Sequence, residues 1–169
     1  SHSLSDYVSA LASGKLFDRQ PLRDLSYFMD IGVEQITGLH TLHLTNWLIS
    51  LVIVQILFQI LRKLGRDPIT ASFFASLYAV HPAFANSVAW VSARKHLLAT
   101  AFILSATYCL ILKSRTSKKW IPLLFLLSLA SHPLYIFWPL WAGFYFWDEI
   151  RDSDHWRSFG QTLKQYWIG

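Results

Sequence analysis

The side chains in this sequence that could do chemistry gather in a few places. Residues 81–96 read HPAFANSVAWVSARKH, with a histidine at each end and Arg94 and Lys95 side by side before the second. An arginine presents a planar fork of donors and a lysine a point charge, so together they suit a phosphate. Capping the preceding segment or meeting lipid headgroups is the plainer role for both, and the preferred one. Upstream stand Asp18, Asp24 and Asp30, carboxylates of the kind that serve as general bases; the spacing of Asp24 and Asp30 suits helix caps or interface positions better. His40, His43, His81, His96 and His132, with these acids and Glu34, raise the question of a transition metal. Only His40 and His43 have ligand-like local spacing. No metal or other cofactor is therefore expected, a divalent ion being the minor alternative.

Positioning such residues falls to a chain that is 53% apolar, 16% aromatic and only 15% charged, with the charges confined to short clusters between long uncharged runs. That distribution belongs to a membrane protein rather than a soluble domain of 169 residues. The net charge of +5 does not point to nucleic acid, because no basic face is interleaved with exposed aromatics. Cys109 is the single cysteine and lies in an apolar run, so it forms no intrachain disulfide and its role is packing. The first twenty residues lack the basic-then-apolar order of a signal peptide.

Taken in order, residues 1–39 form an outer-face segment of short amphipathic helices lying along the bilayer surface. One is carried by Leu4, Tyr7, Val8 and Leu11 and stopped at Gly14. A second follows Pro21 through Leu22, Leu25, Tyr27, Phe28 and Met29, with Gly32 and Gly38 punctuating the approach to the first span. Residues 40–149 form an all-α bundle of five membrane spans, at 43–61, 69–80, 97–112, 120–130 and 134–147. The first is long enough for a hydrocarbon core of about 30 Å; Gln55 and Gln59, four apart, face neighbouring helices. After residue 80 either one helix continues to residue 91, kinked at Pro82, or the span ends near His81 and residues 82–92 form a separate interfacial piece. Proline removes a donor and clashes with the preceding turn, which favours the second. Pro139 bends the last, aromatic span. Residues 150–169 are an amphipathic cytoplasmic tail.

The loops at 62–66 and 113–119 carry three and four basic residues and mark the cytoplasmic side. His43, Asn46, His81, Trp90, His96 and His132 then collect, with Arg94 and Lys95, at the opposite border as an outer-face polar site. The expected location is integral and multi-pass, in the bacterial inner membrane.

The order PLRxLSxxxD at residues 21–30, GxHxxHLTN at 38–46, AVHPAFANSVAWVSARKHLLA at 79–99 and SHPL at 131–134 resembles the membrane region of the GT-C class of glycosyltransferases. It is similar, more narrowly, to the O-mannosyltransferase-like proteins that often carry tetratricopeptide repeats. The resemblance covers about residues 16–149. It implies transfer of a sugar from a polyprenyl-phosphate carrier on the outer face, with an acidic residue of the first outer loop as base, for which Asp24 and Asp30 are the candidates here. Arg23, Arg94 and Lys95 are the candidates for holding the carrier phosphate, and His43, Asn46, His81 and Trp90 also fall on the pattern. The sequence departs from it where Arg94-Lys95-His96 replaces R-K-D, His132-Pro133 replaces K-P and Gln20-Pro21 replaces R-P. The family's first span and the acidic pair after it would lie before Ser1.

These departures favour a non-catalytic membrane subunit, derived from a GT-C-like fold, that binds or anchors partner proteins. The alternative is a glycosyltransferase, or a fragment of one, using the lipid-phosphate donor. The expected partners are the lipid bilayer, membrane proteins and the polyprenyl-phosphate lipid, not nucleic acid. A lipid or ion carrier is disfavoured, since no ionisable residue lies deep in a span.

Overall fold

The computed structural model of the chain describes residues 20–112 and 114–145. The expected helix near Leu4, Asp18 and the 150–169 tail lie outside the described residues. Helices make up most of those described, with no strand among them.

Helix α1 is Pro21–Thr37. Pro21 opens it, where the missing N–H would have no intrahelical partner. The helix runs through Gly32 rather than stopping before it, because one glycine in a helix costs only about 1 kcal/mol. Gly38 does stop it: at φ 71° it takes the left-handed conformation that other residues resist, and its N–H returns to the Glu34 carbonyl at 2.8 Å. Helix α2 is Leu42–Lys63, 22 residues, with a mean hydropathy of 2.0 over its most apolar 18-residue stretch. At 1.5 Å per residue it reaches about 33 Å. Among the described residues it is the one helix long and apolar enough to cross a membrane. The expectation of five spans thus reduces here to one candidate.

Helix α3, Pro68–Val80, is apolar but only 13 residues long. Asp67 caps its start, accepting from the Thr70 N–H at 3.0 Å. His81 is extended at ψ 130° and α4, Pro82–Ala89, begins at the proline. The two-piece alternative is the one the structure adopts, since the residue before a proline is driven out of the helical region. The His81 Nδ1 accepts from the Ala83 N–H at 3.3 Å, so the residue that ends α3 also caps α4. After an extended Trp90, the 3-10 turn Val91–Ala93 leads into α5, Arg94–Ile111.

Helix α6 is Arg115–Ser131. It begins inside the segment expected as the 113–119 loop, and it accommodates Pro122. The 3-10 turn Pro133–Tyr135 comes next. Residue 136 begins a second unit, whose described part, residues 136–145, carries α7, Trp138–Tyr145. The last segment is therefore not one helix bent at Pro139; that proline sits in the first turn of α7, where it is tolerated.

Within residues 1–135, α5 packs against α2 and α6, and α3 lies along α2. Ile53, Phe84 and Leu97 form the core, joined by Ile49, Tyr78 and Leu104. Ser128 donates to the Ala99 carbonyl at 3.0 Å and both residues are fully buried, so α5 and α6 approach closely through small side chains. Asn46 meets Arg94, and His96 meets His132. The starts of α2 and α5 and the end of α6 therefore share one end of the bundle.

The Thr70 hydroxyl, and then its backbone N–H, hold the Asp67 carboxyl below its ordinary pKa. A group depressed on folding stabilises above its unfolded pKa and loses that contribution as pH falls through the folded value. Thermal unfolding of the detergent-purified chain, followed by circular dichroism, should show a drop in Tm on acidification below the ordinary carboxylate range. Asp67→Asn should remove that part of the dependence.

Candidate functional site

Arg94 opens α5 with its side chain wholly inside the protein, at 0% exposure. Its Nε donates to Asn46 Oδ1 at 2.7 Å, and one terminal nitrogen donates to Asp30 Oδ2 at 2.5 Å and, at the long distance of 3.4 Å, to the Ser26 hydroxyl. The other terminal nitrogen donates to the Leu42 carbonyl at 2.5 Å. The Tyr27 ring lies against the guanidinium, 4.7 Å from its centroid. A buried charge needs such partners, because an unpaired ion in a low-dielectric interior is prohibitively costly.

The partners are themselves held. Asp30 accepts from the Thr45 hydroxyl at 2.7 Å through its other carboxylate oxygen, and its carbonyl accepts from Thr41 at 3.1 Å. Asn46, fully buried, turns its amide to the carbonyls of Val88 and Trp90, both at 3.3 Å. Tyr27 donates to the Val91 carbonyl at 2.6 Å. Burial raises the Tyr27 pKa, against a lowering pull from Arg94, so the phenol keeps the proton it donates. One charged cluster thus joins α1, the start of α2, the end of α4, the turn after it and the start of α5.

Arg23 and Asp24 lie at the start of α1, within electrostatic reach of Tyr27. Arg23 donates to Asp24 Oδ1 from two nitrogens, each at 2.7 Å, and to Gln20 Oε1 at 3.3 Å. The other oxygen of Asp24 is buried and has no hydrogen-bond partner among the described residues.

The remaining residues of the expected outer-face site lie at the same end of the bundle but are not all brought together. His43 is exposed on α2, and Trp90, 64% exposed, contributes its carbonyl to the cluster. His81 is exposed and caps α4. Lys95 and His96 are half-buried. The His96 ring lies 4.5 Å from that of His132, centroid to centroid. Burial, and then the charge of Lys95, push the His96 pKa down. His132 accepts from the Leu134 N–H at 3.1 Å. His40 pairs with Glu34 at 2.5 Å in an exposed position. No group of three histidine, cysteine or acidic side chains could hold a metal among the described residues.

The roles of Ser26, Tyr27, Thr41 and Thr45 in this cluster are not singled out by residue type. Helical spacing is the signal that would have found them: Arg23, Ser26, Tyr27 and Asp30 fall on one face of a helix. No family model matches the sequence, and neither a curated protein nor a solved structure matches it.

Arg94→Met should leave Asp30 Oδ2 without its cation and cost about 3–5 kcal/mol of unfolding free energy, the range for breaking a buried ion pair from one side. Arg94→Met combined with Asp30→Leu should recover much of that loss. Denaturant titration of the detergent-purified chain, read by circular dichroism, measures both.

Proposed function

We propose that this chain is a non-catalytic integral membrane subunit that anchors or binds partner proteins, built on the plan of a GT-C-like glycosyltransferase. The observation that carries this reading is the enclosure of Arg94. A guanidinium at 0% exposure, bonded to Asp30, Asn46 and the Leu42 carbonyl, has no face to offer a carrier phosphate. Asp30 is equally engaged on both oxygens, which leaves it a poor general base. Two residues with the chemistry expected of a transferase are thus turned inward as architecture. The replacements at His96 and His132 point the same way.

The membrane part rests on an inside-out distribution. Among the described residues, the largest fully buried side chains are Arg94, Ile53, Leu97, Asn46, Ser128 and Ser131, four of the six polar. Large apolar residues such as Leu48, Val52, Ile69, Phe73 and Leu77 are exposed. In water this arrangement would be costly; in lipid it is the expected one, since polar groups must find partners inside. On this reading α2, α3, α5 and α6 are membrane-embedded, α4 lies beside α2 within the same layer, and the chain is multi-pass, with the shorter helices shielded by their neighbours.

One observation favours the alternative, a transferase using a polyprenyl-phosphate sugar: the buried, unpartnered oxygen of Asp24 beside Arg23, an acid with capacity to accept a proton.

Purification from the native membrane in mild detergent should yield a stoichiometric protein partner and no sugar release from a polyprenyl-phosphate donor. Sugar release that Asp24→Asn abolishes, with helicity unchanged, overturns the proposal in favour of the transferase. On a Cys109→Ser background, Lys95→Cys and Ser117→Cys should react with an impermeant maleimide from opposite sides of sealed vesicles. Reaction from a common side overturns the multi-pass reading.

A further inference from the structure

A groove of about 530 Å³ runs along α2. Its floor is the face carrying His43, Trp47, Leu51 and Val54, and its far wall includes Ala85 and Ala89 of α4. Floor positions recur every three or four residues, so they form one continuous strip of the helix. Eleven helical steps separate His43 from Val54, which is about 16 Å at 1.5 Å per residue. A hydrocarbon core of about 30 Å gives each leaflet about half that depth. The groove therefore has the length of one leaflet, and it lies on the helix that has membrane-crossing length and hydropathy. His43, exposed, and Trp47, 59% exposed, stand at its shallow end. An imidazole and an indole there match the headgroup border, where amphipathic rings are favoured.

We propose that this groove holds one straight acyl chain of a membrane phospholipid, with its headgroup at His43. The proposal rests on reading the chain as membrane-embedded. No Asp, Glu, Lys or Arg lines the groove and its polar members are His43 and Ser50, so it offers little to a charged peptide, whereas an aliphatic chain needs only apolar contact. Alanines at positions 85 and 89 let a narrow chain lie close to the backbone, as small residues do between membrane helices. The one-leaflet length fits a straight acyl chain and is short for a polyprenyl carrier. The wall is also held in place: the Asn46 amide bonds the carbonyls of Val88 and Trp90, which fastens the end of α4 to α2 and keeps the groove from collapsing.

The test uses the full chain in phosphatidylcholine vesicles doped with a phosphatidylcholine carrying a diazirine on its acyl chain, with labelled residues mapped by mass spectrometry. Labelling should concentrate on Leu51, Val54, Ala85 and Ala89, above Leu44, Leu48 and Val52, which are exposed on α2 outside the groove. Ala85→Trp, which fills the groove from an exposed position, should abolish that excess while leaving the labelling of Leu44 and Leu48 in place. Labelling spread evenly around α2 overturns the proposal, because lipid would then be only a bulk solvent. Displacement of the label by unlabelled polyprenyl phosphate, but not by excess phosphatidylcholine, overturns the acyl assignment. Crosslinks from groove residues to a second copy or to another segment of this chain overturn it too, with protein as the cover. Release of the chain from vesicles by alkaline carbonate sinks the membrane reading and the groove together; retention with even labelling sinks only the groove.

Discussion

A single guanidinium, buried to 0% exposure at the start of α5, fixes how four segments of this protein meet. Arg94 reaches α1 through Asp30, α2 through Asn46 and the Leu42 carbonyl, and the turn before its own helix through the Tyr27 that it stacks on. Taking this charge and its partner carboxylate out of water costs several kcal/mol per ion, so the pair adds little net stability compared with a well-packed apolar pair. Its value lies in direction. An apolar contact tolerates a sliding helix, but a fork of donors with matched acceptors is satisfied in one register.

That register determines what the helices show outward. With polar groups drawn into the Arg94 cluster and into the Ser128–Ala99 contact, large apolar side chains are left on the outside of α2 and α3. The same cluster sets the position of α4, because the amide of Asn46 that faces away from Arg94 holds the Val88 and Trp90 carbonyls. The apolar groove between α2 and α4 is thus a consequence of a polar interaction on its far side. Packing of Phe84 against Ile53 and Leu97 supports the same placement from within.

The cluster also bears on function through residue type. Arginine, aspartate and asparagine at one end of a helical bundle read as a site for an anionic ligand. Here they satisfy one another, so the chemistry each could do is directed at its neighbour. Asp24, with one buried oxygen lacking a partner among the described residues, is the acid that stands outside this mutual satisfaction.

Much of the local structure was legible in the sequence because it depends on near neighbours. Pro68 and Pro82 open helices, His81 breaks the chain before a proline, and the uncharged run after Leu42 makes a membrane-length helix, all from steric rules acting over a few residues. Where those rules were read too strongly, as at Gly32, at residues 115–119 and at Pro139, the propensity was real but smaller than the gain from continuing or delaying a helix. The clustering of Asn46 and Arg94 at one end came from alternating spans. What each side chain there touches did not, since the partners of Arg94 lie 48 to 64 residues away for its closest side-chain bonds, and no local spacing encodes such a distance. By itself, then, the amino-acid order determined the helical character of the described residues, the breaks at Pro68 and Pro82 and the apolar runs. Only the tertiary structure decided that Arg94 and Asp30 face each other rather than a ligand, because burial of a charge is a property of everything packed around it.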